Sequence, residues 1–407
     1  MKSAVGTPRK YTIETSLGDA ISNRMSKIEP NNHINPAGVD FCTLGMFIID
    51  EIHFEAPNPP VKDIIGGAGS YAVVGARMVA GREHCQSVSW IVDTGSDFPD
   101  EVRRVISSWD TSCIFRESTA RLTTRAWNGY GPNEKRDFRY LTPKIRLDHN
   151  SLLESQVFSK TFHMVCSPAR CIDIVEGILE RRNTLLQNGN IDQSLVGRRP
   201  IFVWEPVPDL CREEELPTFY KALKYVDVLS PNELELGSLY GNKSWSEENP
   251  GDRDIANTIV KSGIGRDGKG LLVVRAGKDG CYAFSQDLSV HIPACQGVNV
   301  VDPTGAGNAF LGALAQALIT PVRAPVAMIP QMLDTSPRWR DISGAWGEDG
   351  RIPAALMCAT VAASFVIEQI GMPRVSVSEE GKELWNDESY IERIRLYVRQ
   401  FAERPEK

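Results

Sequence analysis

The segment Val300-Val301-Asp302-Pro303-Thr304-Gly305-Ala306-Gly307-Asn308-Ala309-Phe310 carries the densest chemical signal in the chain. An apolar stretch enters Asp-Pro-Thr, turns through Gly-Ala-Gly, and continues as an apolar helix from Phe310 to Ile319. Glycines at a helix start let the backbone approach a ligand, and the first-turn N–H groups point outward at the positive end of the dipole. Such a site suits a phosphate, or negative charge developing in phosphoryl transfer. Tight packing of the glycines against a neighbouring helix is the plainer alternative. A second segment, Ser230-Pro231-Asn232-Glu233-Leu234-Glu235, follows an apolar run. Ser230 as N-cap, Pro231 at N1 and Glu233 at N3 account for it as a capping box. Asn232 and Glu235 are then surplus to the cap. At i, i+3 they share a face at the carboxyl end of a strand, where open α/β sheets bind ligands. A carboxylate placed there can hold a magnesium-bound water. Gly66-Gly67-Ala68-Gly69-Ser70 opens another helix, either for close ligand approach or for helix–sheet packing. Val274-Arg275-Ala276-Gly277-Lys278-Asp279-Gly280 is a strand followed by a Gly-flanked turn, which taken by itself reads as a hairpin.

Other matches carry less. Gly263-Ile264-Gly265-Arg266-Asp267-Gly268 spells G-x-G-x-x-G but precedes a strand, so it is a loop and not a dinucleotide fingerprint. The six histidines show no metal-ligand spacing, and His163 reads as a satisfied core residue. Basic residues between Arg116 and Arg146 interleave with Trp127, Tyr130, Phe138 and Tyr140, as expected of a flap covering a ligand.

The elements that must position these groups alternate between strand and helix. Apolar runs at 41–49, 87–92, 161–166, 200–204, 225–229 and 271–275 are nearly continuous, as in strands covered on both faces. Helical segments are expected at 67–80, 171–187, 232–239, 251–262, 305–319, 353–370 and 389–403. In the last, Ile391, Ile394, Val398 and Phe401 share one face. The pattern predicts an α/β protein with a mainly parallel sheet between helices. Residues 113–142 look like an antiparallel excursion. Residues 321–350, proline-rich and without helical period, look like a long insertion. Residues 1–38 are polar and read as a flexible extension, 39–375 as one domain, and 376–407 as a helical segment packed on it.

Composition narrows the function classes. The 407 residues are 42% hydrophobic and 24% charged, with a net charge of −7, which argues against a broadly basic nucleic-acid surface. The longest apolar run, Ala354 to Ile367, is too short to span a bilayer. Nothing in residues 1–30 resembles a secretory signal, and Glu14, Asp19 and Glu29 count against a mitochondrial presequence. Nine scattered cysteines without a C-x-x-C are expected to be reduced thiols of a cytoplasmic protein.

In order along the chain, these motifs resemble those of the pfkB/ribokinase family of carbohydrate kinases over about residues 40–375. The resemblance implies a ribokinase-like three-layer α/β/α sandwich with a small β-flap lid, drawn from about 50–65 and 113–142. Gly66-Gly67 resembles the first family signature. Asn232 and Glu235 match its N-x-x-E motif, Gly277 and Gly280 its nucleotide-side turn, and 302–310 its D-T-x-G-A-G-D signature. It implies ATP and magnesium as cofactors, with Asn232, Glu235, Arg275, Gly277, Gly280, Asp302 and Thr304 on the nucleotide side. Glu235 would hold magnesium through water, and a monovalent cation would lie near Asp302. Asp50, Gly66, Gly67 and Tyr71 fall on the sugar side, and Gly305, Ala306, Gly307 and Asn308 at the transferring phosphoryl group. A monomer, or a homodimer through the lid, is the implied assembly.

The departures fall mostly on the sugar side. The family's catalytic Asp is replaced by Asn308, an amide that can orient a hydroxyl but has no useful basicity. Pro303 replaces a threonine, Tyr71 replaces a sugar-contacting asparagine, Arg275 stands where threonine is frequent, and the strand ending at Cys166-Ser167 lacks an acidic sugar ligand. Two functions follow: a slow ATP- and magnesium-dependent kinase for a sugar-like alcohol, or a catalytically inactive nucleotide- or sugar-binding protein acting through a partner. Recruitment of another carboxylate, such as Asp302, as base is a third route. Asn308→Asp is expected to restore a base in the first case.

Overall fold

The computed structural model describes residues 38–403 apart from 54–58, 131–135, 189–198, 287 and 347–349. The expected N-terminal extension therefore lies outside the described residues, save for Gly38. Fifteen strands are described: β1 (Phe41–Thr43), β2 (Ile48–His53), β3 (Val61–Gly66), β4 (Val88–Thr94), β5 (Ser112–Glu117), β6 (Arg125–Tyr130), β7 (Arg136–Tyr140), β8 (Thr161–Cys166), β9 (Ile201–Pro206), β10 (Val228–Leu229), β11 (Leu271–Arg275), β12 (Cys281–Ser285), β13 (Leu288–Ile292), β14 (Val375–Val377) and β15 (Glu383–Trp385). The helices that matter below are α1 (Ala68–Ala80), α2 (Pro168–Gln187), α3 (Glu233–Leu239), α4 (Ala306–Ile319), α5 (Arg351–Val366) and α6 (Tyr390–Glu403).

Among the described residues nine strands form one sheet, ordered β13-β12-β11-β10-β9-β8-β1-β4-β5. From β11 to β5 every pairing is parallel, and β12 pairs antiparallel with both β11 and β13. Alternate side chains go to opposite faces, which explains the continuous apolar runs. Trp90, Val92, Val203 and Val273 join one buried cluster, while Ile91, Phe202, Trp204, Leu272 and Val274 join the other. All nine cysteines are free thiols.

Several expectations are corrected. The run 41–49 is not one strand: β1 ends at Thr43, and β2 begins at Ile48 in a different sheet. Gly45 sits at that break, so close to the backbone of Gly69 that a Cβ would fall 2.5 Å from Gly69 N. The lid is a four-stranded sheet, β3-β2-β6-β7, so 112–117 is no part of it. Those residues form β5 at the edge of the main sheet. Residues 321–350 do not lack helix. They include Met328–Leu333 and Pro337–Trp346, with Ile329, Leu333, Trp339 and Trp346 buried against the core. The expected C-terminal helix is α6, with Ile394, Val398 and Phe401 buried, but the small β14–β15 hairpin precedes it. Among the described residues no helix is long and apolar enough to cross a membrane.

The closest helix contact positions the site. A Cβ on Gly75 of α1 would overlap the Ala309 carbonyl, and a Cβ on Gly312 of α4 would overlap that of Ala72. The two glycines let the helix backbones touch, which sets Gly67–Tyr71 beside Gly305–Ala309. Gly75→Ala is expected to lower stability by about 1–3 kcal/mol, because the new methyl meets backbone and cannot be accommodated by a side-chain rotation. Thermal melting checks this against Gly344→Ala, where nothing lies within 4 Å of the added methyl. An unchanged melting temperature for Gly75→Ala would show that the helices are not in backbone contact.

Candidate functional site

Helix α4 begins at Gly305, whose φ of 80° is a left-handed conformation suited to glycine. A Cβ there would also run into the ring of Tyr71. Asp302, buried in the preceding loop, accepts the Thr304 N–H at 2.9 Å through Oδ1 and braces the turn. No side chain caps the helix; the Ala306 N–H donates to the Pro303 carbonyl at 3.3 Å, which leaves the Gly307 and Asn308 amides as the uncapped ones of the first turn. They open on a cleft of about 370 Å³ lined by Arg275, Gly277, Gly280, Pro303, Ala306 and Gly307. Residues within 294–300 and 360–367, which sequence reasoning did not single out, complete the wall. The β11–β12 turn is a hairpin, as expected, with positive φ at Gly277 and Gly280.

Asn232 and Glu235 do not stand apart from the helix cap as expected; they are the cap. Asn232, not Ser230, is the N-cap of α3. Its Oδ1 accepts the Glu235 N–H at 2.8 Å, and Glu235 Oε2 accepts the Asn232 N–H at 2.8 Å. Asn232 Nδ2 also donates to Glu235 Oε1 at 2.7 Å. Ser230 Oγ instead donates to the Val273 carbonyl across the sheet, and Asn232 bridges to Arg275.

The hub of the site is Arg275. Its Nη1 lies 2.8 Å from Glu205 Oε1, and its Nη2 lies 3.0 Å from Glu235 Oε2 and donates to the Ser230 carbonyl at 3.0 Å. A Cβ on Gly307 would overlap Nη1, so the guanidinium rests against the start of α4. Asn308 Nδ2 donates to Glu205 Oε2 at 2.5 Å. His163 Nε2 is 3.7 Å from that oxygen, and its Nδ1 pairs with Thr43 Oγ1 at 2.9 Å. His163 is buried as expected but not satisfied, since its Nε2 has no hydrogen-bond partner among the described residues and faces the site's carboxylate.

The side chains of Arg275, Glu205 and Glu235 are 10%, 8% and 4% exposed, so their charges interact with little screening by water. Burial raises the Glu235 carboxyl to about 7, with the Glu205 charge adding to the rise and Arg275 opposing it. Burial acts upward on Glu205 too, but Arg275 and His163 outweigh it and hold the group below the usual carboxylate range. The two acids are therefore pushed in opposite directions, Glu205 toward its ionised form and Glu235 away from it.

On the lid side, Asp50 is buried on β2, opposite Ile64 and Ala126. Gly66 leaves room for it, since a Cβ there would overlap Asp50 Oδ2. Tyr140 of β7 is raised by burial first, with the charges of Asp50 and Asp209 adding and that of Arg146 opposing. These four groups therefore share one neighbourhood. Tyr71 is buried against Ala309 and Val366, packed beneath the turn at Gly305. Gly67 caps α1 with φ 86°.

Glu205, His163 and the cleft wall were missed in the sequence. The available signal for Glu205 was a charged residue, followed by proline, at the carboxyl end of an otherwise apolar strand.

A model of the pfkB family, described as carbohydrate kinases, matches residues 206–374. Over 376 residues the chain is 36% identical to an uncharacterised protein of Schizosaccharomyces pombe and 30% identical to the protein MAK32 of Saccharomyces cerevisiae. Each alignment covers 88% of this chain and 92% of the relative. The fold is similar to that of ribokinase from Giardia lamblia, at a TM-score of 0.61 and 17% identity, covering 89% of this chain and 99% of that one. It is also similar to a putative ribokinase II from E. coli in complex with ATP and magnesium, at a TM-score of 0.56 and 16% identity with the same coverage.

Proposed function

Because the chain belongs to the pfkB family of carbohydrate kinases, we propose that it transfers the terminal phosphoryl group of ATP to a hydroxyl of a sugar or sugar-like alcohol. The observation that carries this reading is convergence. Ala306 and Gly307, Arg275, and Gly277 with Gly280, contributed by separate segments of the chain, meet around one cleft. Uncapped amides at the start of α4 stabilise charge on the transferring group. Asp50, reached from that turn through Tyr71 and Gly66-Gly67, would accept a hydrogen bond from the acceptor. A monovalent cation beside Asp302 belongs to the same proposal, with the buried carboxylate as its counter-charge.

Magnesium fits these residues poorly. Both oxygens of Glu235 accept hydrogen bonds, one from Asn232 Nδ2 and the other from the Asn232 N–H and Arg275. Among the described residues no three acids, histidines or cysteines cluster as metal ligands. Nor can Asn308 take the acceptor's proton, and loss of a general base costs typically ~10²–10⁴ in rate. Positioning and charge stabilisation supply most of phosphoryl-transfer catalysis, so turnover survives at a reduced rate.

The test is single-turnover transfer from labelled ATP across a panel of sugars, polyols and nucleosides, with binding of ATP followed in parallel. Acceptor-dependent transfer supports a kinase. Tight ATP binding without transfer to any acceptor would assign the chain to nucleotide binding alone.

A further inference from the structure

We propose that Arg275 is the resident cation of the phosphate site, so that nucleotide phosphates bind through a guanidinium and the amides of α4 without a divalent metal. The inference rests on the reading that the cleft takes a nucleotide, and it goes beyond that reading in naming what meets the phosphates.

Four observations support it. The guanidinium lies between two buried carboxylates, Glu205 on β9 and Glu235 on α3, the arrangement in which a divalent ion would otherwise compensate them. It rests against Gly307, where a Cβ would overlap Nη1, so it shares the space of the uncapped amides. It also lines the cleft. Finally, although the side chain is nine-tenths buried, its Nε donor has no hydrogen-bond partner. A buried guanidinium N–H left unmade is costly, and an anionic oxygen arriving in the cleft would satisfy it.

The alternative occupant of this space is a hydrated magnesium ion, and the two differ in what they require. A metal site takes up nucleotide phosphates only when the metal is supplied. The guanidinium, already held by Glu205 and Glu235, is present in a chelator as well.

The experiment is calorimetric titration of ADP into the full chain, once in excess EDTA and once in saturating magnesium chloride. We expect dissociation constants within about threefold of each other. Arg275→Lys, which keeps the charge but loses the planar fork, should weaken binding in EDTA by roughly tenfold. Circular dichroism establishes that the variant is folded, and the wild-type arms need no variant at all. Binding that appears only with magnesium would overturn the inference and leave the nucleotide reading intact. Absence of ADP binding in both conditions would overturn both.

Discussion

Asn308→Asp alone is expected to lower both stability and phosphoryl transfer, whereas Glu205→Gln combined with Asn308→Asp should raise transfer by about 10²–10⁴. From the sequence, the single substitution looks like simple restoration of a base. The structure corrects that expectation, because Asn308 Nδ2 lies 2.5 Å from Glu205 Oε2. An aspartate there would set two carboxylates against each other in a buried site, and they cannot both ionise. One would take up a proton, and the amide donor that now satisfies Glu205 would be lost. In the double variant the hydrogen bond reverses polarity, with the glutamine amide donating to the new aspartate. The negative charge then sits at the cleft, at the end of the helix that favours it. Single-turnover transfer for the four proteins of the cycle decides the matter. If Asn308→Asp alone is as fast and as stable as the double variant, residues 205 and 308 are not in contact.

Arg275→Met should destabilise the fold by about 3–5 kcal/mol at neutral pH, as expected when one partner of a buried ion pair is removed. Glu205 and Glu235 would be left facing each other in a site that excludes water. Both would then have folded-state values above their unfolded ones, so the folded state would bind more protons than the unfolded chain. Stability would accordingly be highest in acid and lost as pH rises through the raised values. Melting temperatures of wild type and variant between about pH 5 and 8 read this directly, and the gap should widen toward alkaline pH. Equal melting temperatures across that range would mean that the three side chains are not clasped.

How much of this was legible depends on what the environment does to the side chains. Strands β8 and β11 match their apolar runs end to end, since strands covered on both faces must be apolar throughout. The same rule hides the break between β1 and β2, because both are buried and only Gly45 marks the crossing. β12 and β13 were not foreseen, although Cys281–Ser285 alternates within a hairpin already recognised. The cap of α3 was misplaced for a physical reason: Ser230 with Glu233 and Asn232 with Glu235 both satisfy the i, i+3 pattern, and only the hydrogen bonds choose between them. The helices Met328–Leu333 and Pro337–Trp346 were masked by prolines at their starts and interiors. Glu205 escaped because its significance lies in Asn308 and Arg275, more than 60 residues away in sequence.

Only Leu44–Phe47 separates β1 in the main sheet from β2 in the lid, so this short segment would be the hinge of any movement of β2 against the main sheet. Gly69 N donates to the Met46 carbonyl at 3.1 Å, while a Cβ on Gly67 would collide with that same carbonyl and one on Gly69 with the carbonyl of Gly45. The hinge is therefore clamped to the first turn of α1, whose Gly75 is keyed into α4. A rotation of the lid about Leu44–Phe47 must either break the Met46–Gly69 bond or carry the start of α1 with it, together with the Tyr71 ring under Gly305. The cover over one half of the cleft and the floor of the other thus behave as the two arms of a single rocker, joined by backbone contacts with little play.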